Sequence, residues 1–197
     1  MTTPLYDAAL DGDAAEVQAL LAAGAAPDEG DEDGTPLCAA ACWSHTDAVR
    51  ALLAGGAAPD YAENDLTPLV YAALRLDAAT AVALLEAGAN PNGEGAPLVR
   101  AAGRGALGVV RALLAHGADP ALRDADGQTA LEAAEAWVGE DVEQALVASL
   151  PGDGPVEVTR EPLEDGTERI EVVRVEEGAV GELGTGHAQI VALLGNG

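Results

Sequence analysis

The sequence predicts a mainly α solenoid of stacked helix-turn-helix units, followed by a β-hairpin and a short terminal helix. Three observations predict it. The triplet Thr-Pro-Leu occurs at Thr3, Thr35 and Thr67, then loosens to Ala-Pro-Leu at Ala96 and Thr-Ala-Leu at Thr129. Each of the first four triplets is followed by a Leu-Leu pair (Leu20-Leu21, Leu52-Leu53, Leu84-Leu85, Leu113-Leu114) and then by Gly-Ala-x-Pro, at Gly24, Gly56, Gly88 and Gly117. From Pro151 onward this pattern stops, and apolar residues alternate in steps of two around Asp165-Gly166. The triplets are spaced by 32, 32, 29 and 33 residues, the period of a repeat whose units stack because none can bury its own face.

Each element of a unit has its residue. Thr caps the first helix through its hydroxyl, and Pro stands at the first helical position, where no N–H is required. The Ala run lets two helices approach closely. Gly after the second helix supplies the left-handed backbone that closes it. The Pro and acidic residues that follow make an extended turn to the next cap. The units lie near residues 3–34, 35–66, 67–95, 96–128 and 129–150, so the array spans 1–150. The turn from Asn90 to Ala96 is short, which predicts one stubby finger. The fifth unit, with Trp137-Val138-Gly139-Glu140-Asp141, is the most degenerate and is expected to end the array.

Residues 151–197 read differently. Asp165-Gly166 as a two-residue turn sets Val158 opposite Val173, Val156 opposite Val175, Arg160 opposite Glu171 and Glu157 opposite Arg174. That register gathers Val156, Val158, Val173 and Val175 on one face. An isolated hairpin is marginal in water, so the face is expected to pack on the last repeat or on another chain. The stretch from Gly186 to Leu194 echoes the second helix of a repeat without its triplet. It reads either as a capping helix or as part of another repeat.

Triplet, Leu-Leu and Gly-Ala together resemble the ankyrin repeat over roughly residues 3 to 150. Where that family carries His after Leu, this chain has Tyr6, Cys38, Val70, Val99 and Glu132. The resemblance implies an ankyrin-repeat solenoid whose concave groove, lined by the first helices, binds a protein or peptide. Along the stack the groove face collects Asp7, Leu10 and Asp11; Ala39, Cys42 and Trp43; Tyr71, Leu74 and Arg75; Arg100, Gly103 and Arg104; and Ala133, Ala136 and Trp137. Three of nine Arg and three of five aromatics thus share one stripe, and Trp, Tyr and Arg dominate binding hot spots. Trp43, Tyr71, Trp137, Leu10 and Leu74 are the candidate apolar anchors. Arg75, Arg100 and Arg104 are the candidates for holding an acidic side chain or terminal carboxylate. The bland alternative is padding and local charge neutralisation.

Charge narrows the function classes. Thirty-four acids against nine Arg and no Lys give a net charge of −25, which repels nucleic acid and anionic membrane and attracts basic proteins. An alternative function follows: an acidic inhibitor or immunity-type protein, neutralising a basic toxin or nuclease through the finger Asp28, Glu29, Asp31, Glu32 and Asp33. The same charge also serves solubility alone.

Chemistry has little to stand on. Among His45, His116 and His187 none has a nucleophile beside it in the repeat pattern, and no phosphate loop or nucleophile elbow appears. No enzyme activity and no cofactor are expected. Cys38, Cys42 and His45 leave a zinc site one ligand short. The finger lacks the bidentate Glu of a calcium loop, since Ala40 stands there. The two Cys sit four apart on one helix, poorly placed for a disulfide, which fits a reducing compartment. No secretion signal or apolar span is visible, so a cytoplasmic protein is expected. It reads as a monomer, with a dimer through the hairpin as the alternative. Its Arg-only, Ala-rich composition suggests a high-GC bacterial coding sequence.

Overall fold

Threonine opens four of the five repeats as the sequence predicts. The hydroxyls of Thr3, Thr35 and Thr67 accept the N–H of Tyr6, Cys38 and Val70 at 3.1, 3.3 and 3.2 Å. Thr129 makes a reciprocal box, with its own N–H donated to the Glu132 carboxylate at 2.7 Å. Ala96 has no hydroxyl to offer and sits at φ +50°.

In this computed structural model, which describes residues 3–30, 34–62, 66–175 and 178–195, the caps start the inner helices α1 (Pro4–Leu10), α3 (Pro36–Cys42), α5 (Pro68–Leu74), α7 (Pro97–Gly103) and α9 (Ala130–Glu135). The outer helices are α2 (Ala14–Ala22), α4 (Thr46–Ala54), α6 (Ala78–Glu86) and α8 (Leu107–Ala115). Inner helices stack on inner and outer on outer, a solenoid in which each repeat covers its neighbour. Their shared core is built from Leu37, Leu52, Leu69, Leu84 and Leu113 with Ala between. Small side chains hold it close-packed without Phe.

The fingers are tied by a recurring bond. Asp28, Asp60 and Asn92, each following a Pro, accept the N–H of Ala58, Asn90 and Asp119 in the next finger at 2.9, 2.9 and 2.8 Å. This polar ladder joins neighbouring repeats through their fingers.

The C-terminal third holds a helix, α10 (Val142–Ser149), a sheet of three strands, β1 (Val156–Pro162), β2 (Glu168–Arg174) and β3 (Ala179–Gly184), and a last helix, α11 (His187–Leu194). The sheet is antiparallel in the order β1-β2-β3. β3 was not foreseen, because its Ala, Gly and Glu carry no strand signal.

The hairpin exists, but its predicted register is off by one. Val158 pairs with Val172 and Val156 with Arg174; Glu157 faces Val173 and Arg160 faces Ile170. The turn has three residues, Glu164-Asp165-Gly166, not two. Leu163 N–H donates to Thr167 O at 2.9 Å, and Gly166 stands at φ +83°, the three-residue loop closed by a glycine bulge. A one-residue slip flips every side chain. The buried residues of β2 are therefore Ile170, Val172 and Arg174, while Val158 and Val175 are exposed. Ile170, Val172 and Leu183 pack with Leu146 of α10 in a second small core. The Arg174 guanidinium reaches the carbonyls of Val147 (2.9 Å) and Gly154 (2.7 Å), at the electronegative end of α10.

α11 answers the question of the terminal segment. It packs on α9 as each outer helix packs on its inner one, and it also touches α8; α10 packs on β2 and β3 instead. The His187 ring donates to Gly103 O at 3.1 Å, as the His45 ring donates to Leu10 O at 3.0 Å. Leu10 and Gly103 are the last residues of α1 and α7, so the two histidines occupy one position of the repeat. Trp137-Gly186-His187 thus matches Trp43-Ser44-His45. We read residues 138–185 as an insertion within the fifth repeat, whose two helices are α9 and α11.

Candidate interaction surface

The C-terminal ends of the inner helices form one stripe. Asp11, Trp43, Arg75 and Arg104 cap α1, α3, α5 and α7, and Trp137 follows the α9 cap Ala136. Equivalent positions in stacked helices repeat about every 10 Å.

The two ends of this stripe differ. Trp43 is 58% exposed and Leu10 is 36% exposed, with Asp7 and Asp11 open beside Leu10. In the third repeat Tyr71 and Leu74 are half-buried. Beyond them the inserted sheet lies against the stripe. Glu182 of β3, 8% exposed, sets Oε2 at 3.0 Å from Arg75 Nη1 and 4.0 Å from Arg104 Nη2. Its Oε1 lies 3.0 Å from Arg169 Nε, an ion pair without hydrogen-bond alignment. Arg104 Nε donates to Leu74 O at 3.2 Å and Arg169 to Arg75 O at 2.5 Å. Burial pushes the Arg104 guanidinium below its ordinary pKa; Glu182 opposes that, and Arg75 and Arg169 add to it.

The carboxylate expected of a partner is thus supplied by the chain itself at two of the three candidate Arg. Backbone contacts hold the sheet in place. Gly184 N–H donates to Arg104 O at 2.8 Å and Gly186 N–H to Gly105 O at 3.1 Å. A Cβ on Gly184 would lie 2.5 Å from Leu76 Cδ2 and 2.6 Å from Gly105 O, so only glycine permits this approach.

Trp137 stacks on His187, ring centroids 5.6 Å apart, and packs against the second core; it is half-buried, not an open anchor. Arg100 is exposed and its Nε donates to Gly95 O at 3.4 Å. It borders a notch of about 470 Å³, left where the finger from Asn90 to Ala96 is short and walled by Leu98, Leu122 and Arg123.

The finger candidates divide. Asp28 is half-buried and its Oδ1 accepts the Ala58 N–H; Glu29 is exposed; Asp31, Glu32 and Asp33 lie outside the described residues. Cys38 is buried and its thiol lies 3.5 Å from Tyr61 O, Cys42 is half-buried, and the His45 ring is held by Leu10. His45 opens an outer helix whereas His116 closes one, so the two sit at different positions of the repeat. Among the described residues no group of three His, Cys, Asp or Glu could hold a metal ion, and no helix is long and apolar enough to cross a membrane.

Two family models match the chain: ankyrin repeats (3 copies) over residues 5–94 and ankyrin repeats (many copies) over residues 84–134. The chain belongs to the ankyrin repeat family. The matches end within α9. No curated protein matches the sequence. Ankyrin repeats are generally protein–protein interaction modules and typically non-catalytic scaffolds.

Proposed function

We propose that this ankyrin array is a non-catalytic interaction module that binds a protein or peptide through the open part of its concave groove, the first three repeats. The supporting observation is Trp43. It is a large aromatic, more than half exposed, on the inner-helix stripe of a chain with only two Trp, and the other is half-buried against the second core. A protein that folds around Ala and Leu has no packing use for an indole there. Leu10, Leu74 and Tyr71 continue the apolar contact, and Arg75 borders it.

The inhibitor reading through the acidic finger has less support, since Asp28 joins two fingers. The test is capture from a native lysate by the wild type, by Trp43→Ala and by Leu122→Ala, an exposed finger residue. Truncating a central anchor costs roughly 2 kcal/mol of binding, about thirtyfold in affinity. A partner lost with Trp43→Ala and kept with Leu122→Ala is the expected result. A partner kept with Trp43→Ala sinks the groove reading.

A further inference from the structure

The candidate Arg stripe suggests an acidic partner, and the inserted sheet reverses that expectation. Arg75 and Arg104 already hold Glu182 at 3.0 and 4.0 Å, and their side chains remain only 40% and 28% exposed. Their charge is locally answered and partly covered. What stays open is the N-terminal end, where the balance is one-sided. From Met1 to Val49 the sequence has ten acids and no Arg or Lys. The first cation of the chain, Arg50, lies on the outer helix α4 and pairs with Asp47 at 3.2 Å. On the groove side, Asp7 and Asp11 lie one helical turn apart on α1, both exposed, one repeat from the exposed indole of Trp43.

We propose that the open groove binds a basic segment of a partner protein, an Arg or Lys side chain lying on the face of Trp43 with Asp7 and Asp11 as its counter-charges. The proposal rests on the groove reading above and adds the sign of the ligand. A cation is drawn to the face of Trp by the ring quadrupole, more strongly where it is partly desolvated. Two carboxylates within a repeat of the ring add a directional attraction that falls with salt. Arg75, at the next position of the stripe, is already paired with Glu182 and offers a cation no counter-charge further along. Trp43 therefore marks where the basic residue stops. Charge alone does not make the surface specific, since acids cover the whole molecule; the indole beside an acid-only stretch distinguishes this end from the rest.

The probes are a twelve-residue Arg-Ala-Ala repeat peptide and its Glu-Ala-Ala counterpart, titrated into the full chain at physiological salt. The two indole N–H resonances are followed by NMR, with Trp137→Phe assigning them. The Arg peptide is expected to shift the Trp43 resonance and leave that of Trp137 unmoved. Asp7→Asn/Asp11→Asn is expected to weaken it about tenfold. Glu135→Gln/Glu140→Gln removes the same charge from exposed positions in the fifth repeat and is expected to change it less than twofold. Equal losses in both double variants would reduce the binding to bulk charge and overturn the proposal. A Glu peptide that moves Trp43 as far as the Arg peptide also overturns it, while the groove reading stands. If neither peptide moves Trp43, both readings fall.

Discussion

His187 shows how much one side chain carries at the seam of the insertion. It begins the helix that resumes the fifth repeat, donates to Gly103 O and stacks on Trp137, and it is 3% exposed. Burial holds its pKa below the ordinary value near 6.5, against the Gly103 carbonyl, which favours the charged form. In the unfolded chain the ring takes up its proton first as pH falls, so the unfolded state gains relative to the folded one. The contribution of neutral His187 is therefore complete above about pH 6.5 and is lost as pH falls through the lower folded value. Urea unfolding between pH 7.5 and 5.5 should show the wild type losing stability faster than His187→Asn. Equal slopes would mean that His187 does not titrate with folding in this window.

At the scale of elements, the sheet and the array complete each other. α2 and α6 are capped within their own repeats by Asp13 and Asp77. The equivalent residue before α8 is Ala106, which offers no side-chain cap. The hairpin turn supplies one: Asp165 Oδ2 accepts Gly108 N–H at 2.6 Å while Oδ1 accepts from Thr167 N–H and hydroxyl. Asp165→Ala should cost about 1 kcal/mol, the usual worth of a helix cap. Chemical denaturation checks it, with Asp77→Ala as the comparison within one repeat; no loss at Asp165 would remove the cap from the account. These examples also show what the sequence makes legible. Thr-Pro-Leu and Gly-Ala are local signals, and the helices they begin and end are where they predict. The strand alternation at Val156–Val158 and Val172–Val173 is local too, but it does not set register, because two apolar residues in a row fit either face. The third residue of the turn decides that. The groove stripe is legible by helix geometry from Asp11 to Trp137. That Arg75 and Arg104 meet Glu182 is not, since 107 residues separate Arg75 from Glu182 and no spacing rule reaches so far.

Over the whole molecule the insertion changes what counts as the end of the array. A boundary at residue 150 would keep α10 and discard α11, yet α11 is the helix on α8 and α9. Ile190 of α11 is fully buried and belongs to the main core, with Leu107, Val109 and Leu113 of α8. Truncation after Leu150 should therefore uncover the apolar side of α8, lower the thermal midpoint and raise binding of a hydrophobic dye. Deleting residues 138–185, which joins Trp137 to Gly186, keeps the spacing seen at Trp43-Ser44-His45 and should leave a folded five-repeat helical array. The same deletion removes Glu182 and Asp165, so it frees Arg75 and Arg104 and leaves α8 without its cap. It should fold less stably than the full chain but more stably than the truncation, and the Glu-Ala-Ala peptide should gain affinity for its groove. Calorimetry and peptide titration on the two shortened chains decide the matter. A truncation as stable as the full chain would make α10 the second helix of the fifth repeat. A deletion that folds without gaining affinity for the acidic peptide would mean that Glu182 does not set the sign of the groove.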